Sequence, residues 1–412
     1  MTRLLPARRA AVVLTAVGAL AATALPALAG PPDARQAPGT SEAPDRPRRP
    51  HAATQAALDA IVADGTPGVI AQARDHRGSW HGRAGSRDLA GGHPRGTDEK
   101  FRVASITKPF TATVLLMLEA RGELSLDDSV EEWLPGIVRG EGYHPEDITV
   151  RHLLNHTSGI FDYNMDEGFR ALYAGAEFDR NRYREWRPRE LVDIALAHPA
   201  NFQPREGSRP GEPGRWDYSD TNYVLAGMVV ERVTGGTYRE AVERLLIRPL
   251  GLRGTSVPGT SPRVPRPHAT HWSTLFEDGP DAKVYDVTEF SPTVAFSAGQ
   301  LISTVDDVNT FLSALLGGEL LPPAQQRALL AAVDVDGDKG HGGPEDTYGL
   351  GIRHFKLGDG CRVWGHGGMI PGSASRTTGT RDGRHVLTVN RNGDWGDQEL
   401  EDAAVEAEFC AR

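Results

Sequence analysis

The chain has 412 residues, 39% of them hydrophobic and 24% charged, with a formal net charge of −10 and two cysteines. That is long and apolar enough to bury one large core or two ordinary ones. An acidic balance with scattered arginines excludes a nucleic-acid partner, and beyond the N-terminal segment no run approaches the ~20 apolar residues of a membrane span.

Residues 1–29 read as a secretory signal: a basic "MTRLLPARR", the apolar run "AAVVLTAVGALAATALPALAG", and an Ala27-Leu28-Ala29 cleavage pattern. No cysteine follows that site, so no lipid or membrane anchor is expected, and removal of the signal takes the charge from −10 to −13. The protein is expected to be exported. Residues 30–50, "GPPDARQAPGTSEAPDRPRRP", are Pro-rich and poor in large apolar side chains, which predicts a flexible leader before a folded part spanning 51–412.

In chain order, "AATQAALDAIVADG" has helical spacing, and "GVIAQARD" and "SWHGRAGS" read as strands joined by "DHRG". "SITKPFTATVLLMLEARG" predicts a helix from about Ser105 to Arg121 ended by Gly122, with Pro109 tolerated in the first turn. The middle, "VRHLLNHTSG", "RELVDIALAHP", "TNYVLAGMVVERVTGG", "YREAVERLLIRPLG" and "TVDDVNTFLSALLGG", is mostly helical, with Thr304 and Asp307 as a capping box. "CRVWGHGG", "SASRTTGT" and "HVLTVNRN" predict three strands, the last two linked through Asp382-Gly383, and a closing helix runs to about Phe409. The expectation is an α+β architecture: an antiparallel sheet flanked by helices from about 51–120 and 290–412, with a helical insert at about 121–289.

The chemistry starts at "SITK". At a spacing of three, Ser105 and Lys108 share a helix face, and the serine sits where free N–H groups can receive negative charge. A lysine buried among Val, Leu, Met and Phe can accept a proton that a solvated one could not, making the two a nucleophile-and-base unit. "YSDTNY" places Tyr218 and Asp220 before an apolar helix, and "WGHGG" places His366, Gly367 and Gly368 at a strand end. Cys361 and Cys410 form the single pairing an oxidising compartment allows, closing a loop of roughly 50 residues worth ~3 to 4 kcal/mol; two unrelated buried thiols are the alternative.

The order S-x-x-K, then Y-x-D in place of Y-x-N, then H-x-G, resembles the class C β-lactamase superfamily, closest to secreted serine D-alanyl-D-alanine carboxypeptidases. "FRVASITKPF", "ITVRHLLNHTSGI", "YSDTNYVLAGMVVE", "FSAGQLISTVDDV" and "YGLGI" extend the likeness over nearly the whole chain after residue 55. The resemblance implies a sheet-plus-helices fold of β-lactamase/DD-peptidase type, with Ser105 acylated and Lys108 and Tyr218 as the proton-transfer pair. It implies the backbone N–H groups of Ser105 and Met369 as oxyanion donors, and Asp220, Gly367 and Gly368 as lining. His366 would hold positive potential at the mouth, and Arg353 would bind a substrate carboxylate. The two-cysteine pattern is similar to that of the carboxypeptidases.

No metal or organic cofactor is expected. The partners implied are small: a peptidoglycan stem peptide, a β-lactam or an ester, acted on by a monomer. Two departures matter. Asp220 stands where the family has asparagine, which disfavours a neutral lysine and points to Tyr218 as base. Gly367 and Met369 stand where the carboxypeptidases carry threonines, so a β-lactamase, an esterase or a D-amino-acid amidase is a rival to the carboxypeptidase, and a non-catalytic binder a further one.

Two other patterns are read as structural. Asp334, Asp336, Asp338 and Glu345 have calcium-loop spacing but Lys339 replaces the required glycine, so a solvated acidic turn is expected. His152 and His156, four apart on an expected helix, have no third ligand nearby.

Overall fold

The computed structural model describes residues 51–204, 215–277, 279, 282–335, 346–397 and 399–410. The expected signal and leader lie outside these residues, as do Asp336, Asp338 and Glu345 of the acidic turn.

An eight-stranded sheet organises the chain. Its strands are β1 (Gly68–Asp75), β2 (Gly78–Gly85), β3 (Val333–Asp334), β4 (Thr347–Tyr348), β5 (Arg353–Lys356), β6 (Arg362–Ile370), β7 (Ser373–Gly379) and β8 (Val386–Arg391). They lie in the order β2-β1-β8-β7-β6-β5-β4-β3, antiparallel throughout. The chain's first and last strands therefore pair side by side, one strand in from an edge, with Ile70 opposite Asn390. β8 is buried along its whole length, as a strand covered on both faces must be. β5 pairs with β6 only over Arg362–Gly365, and β6 then continues to Ile370 paired with β7.

On one face lie α1 (Ala52–Ala63) and α5 (Glu399–Phe409), which pack Leu58, Ile61, Ala404 and Val405 onto Val69, Ala71, Ala73 and Val389. Burying each large side chain contributes roughly 1.5–3 kcal/mol. Polar ties fix the same pair. Cys361 and Cys410 form a disulfide with Cα atoms 5.7 Å apart, and Arg391 Nε meets Glu401 at 2.6 Å. Glu408 accepts from Thr54 at 2.6 Å and meets His385 at 2.7 Å and His51 at 2.9 Å. Burial pushes the Glu408 carboxyl up, but the hydrogen bonds from His385, His51 and Thr54 outweigh it and hold it at about 2.

Against the other face packs α4 (Val305–Leu316), with the Phe311 ring stacked on Phe110 of α2 (Thr107–Ala120) at 3.6 Å. The Thr304 hydroxyl caps α4 by accepting from Asp307 N–H at 3.2 Å. Only half of the expected box forms, because the Asp307 carboxylate accepts instead from Gly254 N–H and the Thr255 hydroxyl. α2 is buried on nearly every side from Thr107 to Leu118, as its all-round apolar sequence requires. It begins after a 3-10 turn at Ala104–Ile106, where a regular helix was expected from Ser105.

Between α2 and α4 lie short helices, the long α3 (Asp220–Thr234) stopped by Gly235 at φ 66°, and a two-stranded pair, Trp272–Ser273 with Tyr285–Asp286. The helix expected over "VRHLLNHTSG" stops at Leu154. His156 lies beyond it with a left-handed φ of 62°, so His152 and His156 do not share a helix face. No helix among the described residues is long and apolar enough to cross a membrane.

Candidate active site

Ser105 lies in the 3-10 turn that joins a two-residue strand, Phe101–Arg102, to α2. The preceding Ala104 has φ 50°, a conformation that costs a non-glycine residue ~1–3 kcal/mol and concentrates at functional turns. The kink presses the turn against β6. A Cβ on Gly368 would lie 2.2 Å from the Val103 carbonyl oxygen and 3.2 Å from Ser105 N. Glycine at 368 is thus what lets strand and nucleophile touch. Met369, the next residue, leaves its side chain 48% exposed at this edge.

One helical turn on, Lys108 is fully buried and donates to Ser105 Oγ at 2.9 Å and to the Ala298 carbonyl at 3.1 Å. Its Nζ also meets Asp220 Oδ1 at 2.5 Å. Lys108 Nζ thus stands between the Ser105 hydroxyl and the Asp220 carboxylate.

Tyr218 completes the cluster from the segment before α3. Its hydroxyl hydrogen-bonds Ser105, and the Lys108 ammonium stands 4.8 Å from its ring centre. Burial, followed by the charge of Asp220, raises the phenol well above its usual range despite the Ser105 hydrogen bond. The resting tyrosine is therefore a protonated phenol, which runs against a preformed phenolate base.

His366 lies on β6 with its ring centre 6.3 Å from that of Tyr218. Its Nδ1 donates to the Gly367 carbonyl at 2.5 Å and its Nε2 accepts from the Tyr348 hydroxyl at 2.9 Å. Burial, then the Lys108 charge, holds it well below the ordinary histidine range. A neutral imidazole is what this tautomer needs, so His366 does not carry the positive potential anticipated for it. Gly367 faces Arg376, which a Cβ would approach to 3.3 Å.

Arg353 is placed differently from the rest. Its side chain is 4% exposed and faces the Asp346 carboxylate at 3.7 Å. Aromatic rings flank it, with Trp216 at 5.6 Å and Tyr348 at 5.8 Å. A guanidinium so enclosed is not presented to solvent, where a substrate carboxylate would arrive.

Three further residues join the site. His156 is fully buried, stacks on Tyr218 with ring centres 4.3 Å apart, and accepts from Ser219 N–H at 3.2 Å. Asn164 donates to Asp220 Oδ2 at 2.7 Å. Asp162 accepts from Asn164 N–H at 3.1 Å and from the Asp220 backbone, and burial together with the Asp220 charge pushes its carboxyl up to about 8. Neither Asp162 nor Asn164 carries a sequence signal, because both lie in a turn whose chemistry depends on a helix far along the chain. His156 was obscured by reading its stretch as a continuous helix. Among the described residues no group of three or more His, Cys, Asp or Glu side chains could hold a metal ion.

The cluster joins a hydroxyl, an ion-paired ammonium and a protonated phenol within one hydrogen-bonded network, a constellation suited to acyl transfer. Comparison with known proteins agrees. The family model described as Beta-lactamase matches residues 53–409. Penicillin-binding protein 4* of Bacillus subtilis (strain 168) is 27% identical over 338 residues, covering 80% of this chain and 68% of its own. Esterase EstB of Burkholderia gladioli is 32% identical over 271 residues, covering 60% of this chain, which spans 65% of the esterase's length. Among solved structures, the D-stereospecific amidohydrolase from Streptomyces sp. is 48% identical with a TM-score of 0.79, over 88% of this chain and 99% of that one.

Proposed function

Because the chain belongs to the beta-lactamase family of serine hydrolases, we propose that it cleaves amides and esters of D-amino acids through an acyl-enzyme on Ser105. The observation that carries this reading is the Ser105–Lys108–Asp220 contact chain, in a protein 48% identical to a D-stereospecific amidohydrolase over nearly all of that chain.

In acylation, Ser105 Oγ attacks the carbonyl carbon and the bond to the leaving nitrogen or oxygen breaks. Tyr218 takes the Ser105 proton as it gives its own to the leaving group, so a phenol that stays protonated serves as a shuttle and no free phenolate forms. The Lys108 ammonium, held by Asp220, stabilises the developing charge on Oγ. The N–H groups of Ser105 and Met369 receive the carbonyl oxygen. Water then repeats the sequence on the ester.

D-alanyl-D-alanine carboxypeptidase activity is the second reading, favoured by the likeness to penicillin-binding protein 4*. It requires recognition of a free carboxylate. Arg353 is enclosed beside Asp346, and Gly367 and Met369 offer no hydroxyl, so amide and ester donors suit the site better. Export is part of the proposal, supported by the signal-like first 29 residues and the disulfide.

A panel of D-phenylalanine amide, its methyl ester, a D-alanyl-D-alanine peptide and a penicillin tests this. Turnover of the amide and ester, lost in Ser105→Ala, is expected. Turnover of the peptide alone, or of the penicillin alone, overturns it.

A further inference from the structure

Asp220 opens α3, and its side chain, 18% exposed, spends one oxygen on Lys108 and the other on Asn164. Each carboxylate oxygen has a second lone pair, and a carboxylate, unlike an amide, has no proton to donate. Asp162 stands behind it, gripping the backbone N–H of Asn164 and of Asp220. Asp220 holds the buried cation Lys108 directly, while the Asp162 carboxyl, pushed up to about 8, backs it without a charge at pH 7. The other charged or titratable groups nearby bring nothing to the opening: His366 is neutral and Arg353 faces Asp346.

Resting on the D-aminoacyl reading above, we infer that Asp220 is a specificity-determining residue that accepts the free, protonated α-amine of the acyl donor and so selects unblocked aminoacyl amides and esters over N-acylated ones. An N-acyl donor keeps one neutral N–H for Asp220 and adds a carbonyl oxygen to which a carboxylate has no proton to give. An ammonium meets a complementary charge.

Reach is adequate. The Asp220 carboxylate lies two hydrogen bonds from Ser105 Oγ, through Lys108 Nζ. An α-nitrogen sits ~2.5 Å from its carbonyl carbon by ordinary bond lengths, and that carbon stands ~3–3.5 Å from an attacking oxygen. A donor's amine can therefore stand up to ~5.5–6 Å from Ser105 Oγ, the same range as the two hydrogen bonds that separate Asp220 from it.

The same contact feeds back on the chemistry. The Asp220 charge is the second cause, after burial, of the Tyr218 phenol's reluctance to ionise. An ammonium bound there offsets that charge and eases proton movement through Tyr218, so the free amine acts on kcat as well as KM.

The test compares D-phenylalanine p-nitroanilide with its N-acetyl derivative at pH 7, in the wild type and in Asp220→Asn. The wild type is expected to prefer the free amine by about 100-fold in kcat/KM, as for loss of a charged hydrogen bond, with part of the difference in kcat. Asp220→Asn is expected to bring the two within about 10-fold. Should that variant fail to fold, 3-phenylpropionyl p-nitroanilide, which lacks the amine, serves with the wild type alone and is expected to match the N-acetyl donor. Equal efficiency for both donors in the wild type, or an unchanged ratio in Asp220→Asn, overturns the inference alone. A wild type that accepts a fluorophosphonate on Ser105 yet hydrolyses no D-aminoacyl donor overturns the functional reading and this inference with it.

Discussion

His156 lies flat against Tyr218, their planes 29° apart, while its Nδ1 accepts the N–H of Ser219, the residue after that tyrosine. One imidazole thus fixes both the ring and the backbone that aims it. A left-handed φ of 62° brings it there.

His156→Ala is expected to lower kcat by about 10–100-fold, since small misplacements of a reacting group cost that much, and to lower the melting temperature through the cavity left. His156→Phe keeps the stacking but loses the acceptor, and should recover much of the stability and only part of kcat. A His156→Ala enzyme with wild-type kcat would remove His156 from the site's machinery.

Adjacent glycines should behave oppositely. Gly368→Ala drives a methyl into the Val103 carbonyl at 2.2 Å and separates β6 from Ser105, so acylation should fall by at least about 100-fold. The Gly367→Ala methyl meets the end of the flexible Arg376 side chain at 3.3 Å, which can move aside. Fluorophosphonate labelling rates read both. Equal rates in the two variants would contradict the packing of strand on nucleophile.

Asp162 makes stability depend on pH in a direction opposite to most carboxylates. Its folded value of about 8 exceeds the unfolded one of about 4, so its contribution is fully present below pH ~4 and is lost progressively as pH rises to about 8. Asp162→Asn keeps an acceptor for the Asn164 and Asp220 N–H groups and removes the titration. Between pH 5 and 8 the melting temperature of the wild type should fall more than that of the variant. Parallel curves would count against a buried, proton-bearing Asp162.

Reducing Cys361–Cys410 releases a 49-residue separation and should cost about 3–4 kcal/mol in the chain-entropy model. The bridge ties α5 to the start of β6, and the pairing of β6 with β7 survives its loss. A lower melting temperature with dithiothreitol, at unchanged kcat near room temperature, is the expected pattern.

Much of this was legible in the residues. β1, β2 and β6 to β8 announce themselves by composition and turns, and the three-residue spacing of Ser105 and Lys108 needs only a helix to become a contact. β3 to β5 were missed because two to four residues carry no period. His156 was misassigned because helical spacing continues past Leu154 while the backbone does not. Arg353 was singled out, yet its enclosure by Trp216, Tyr348 and Asp346 depends on segments distant in sequence. Burial likewise makes His366 neutral, which residue type alone does not tell.

The sheet has one more consequence. Ser105 lies in the first third of the chain, but the strand seated against it, β6, and the β8 strand that closes the sheet onto β1 are made last. A growing polypeptide thus carries its nucleophile long before it owns a pocket, and the hydrolase stays inert until its final strands dock. Late assembly would keep the maker's own acyl compounds out of harm's way during synthesis.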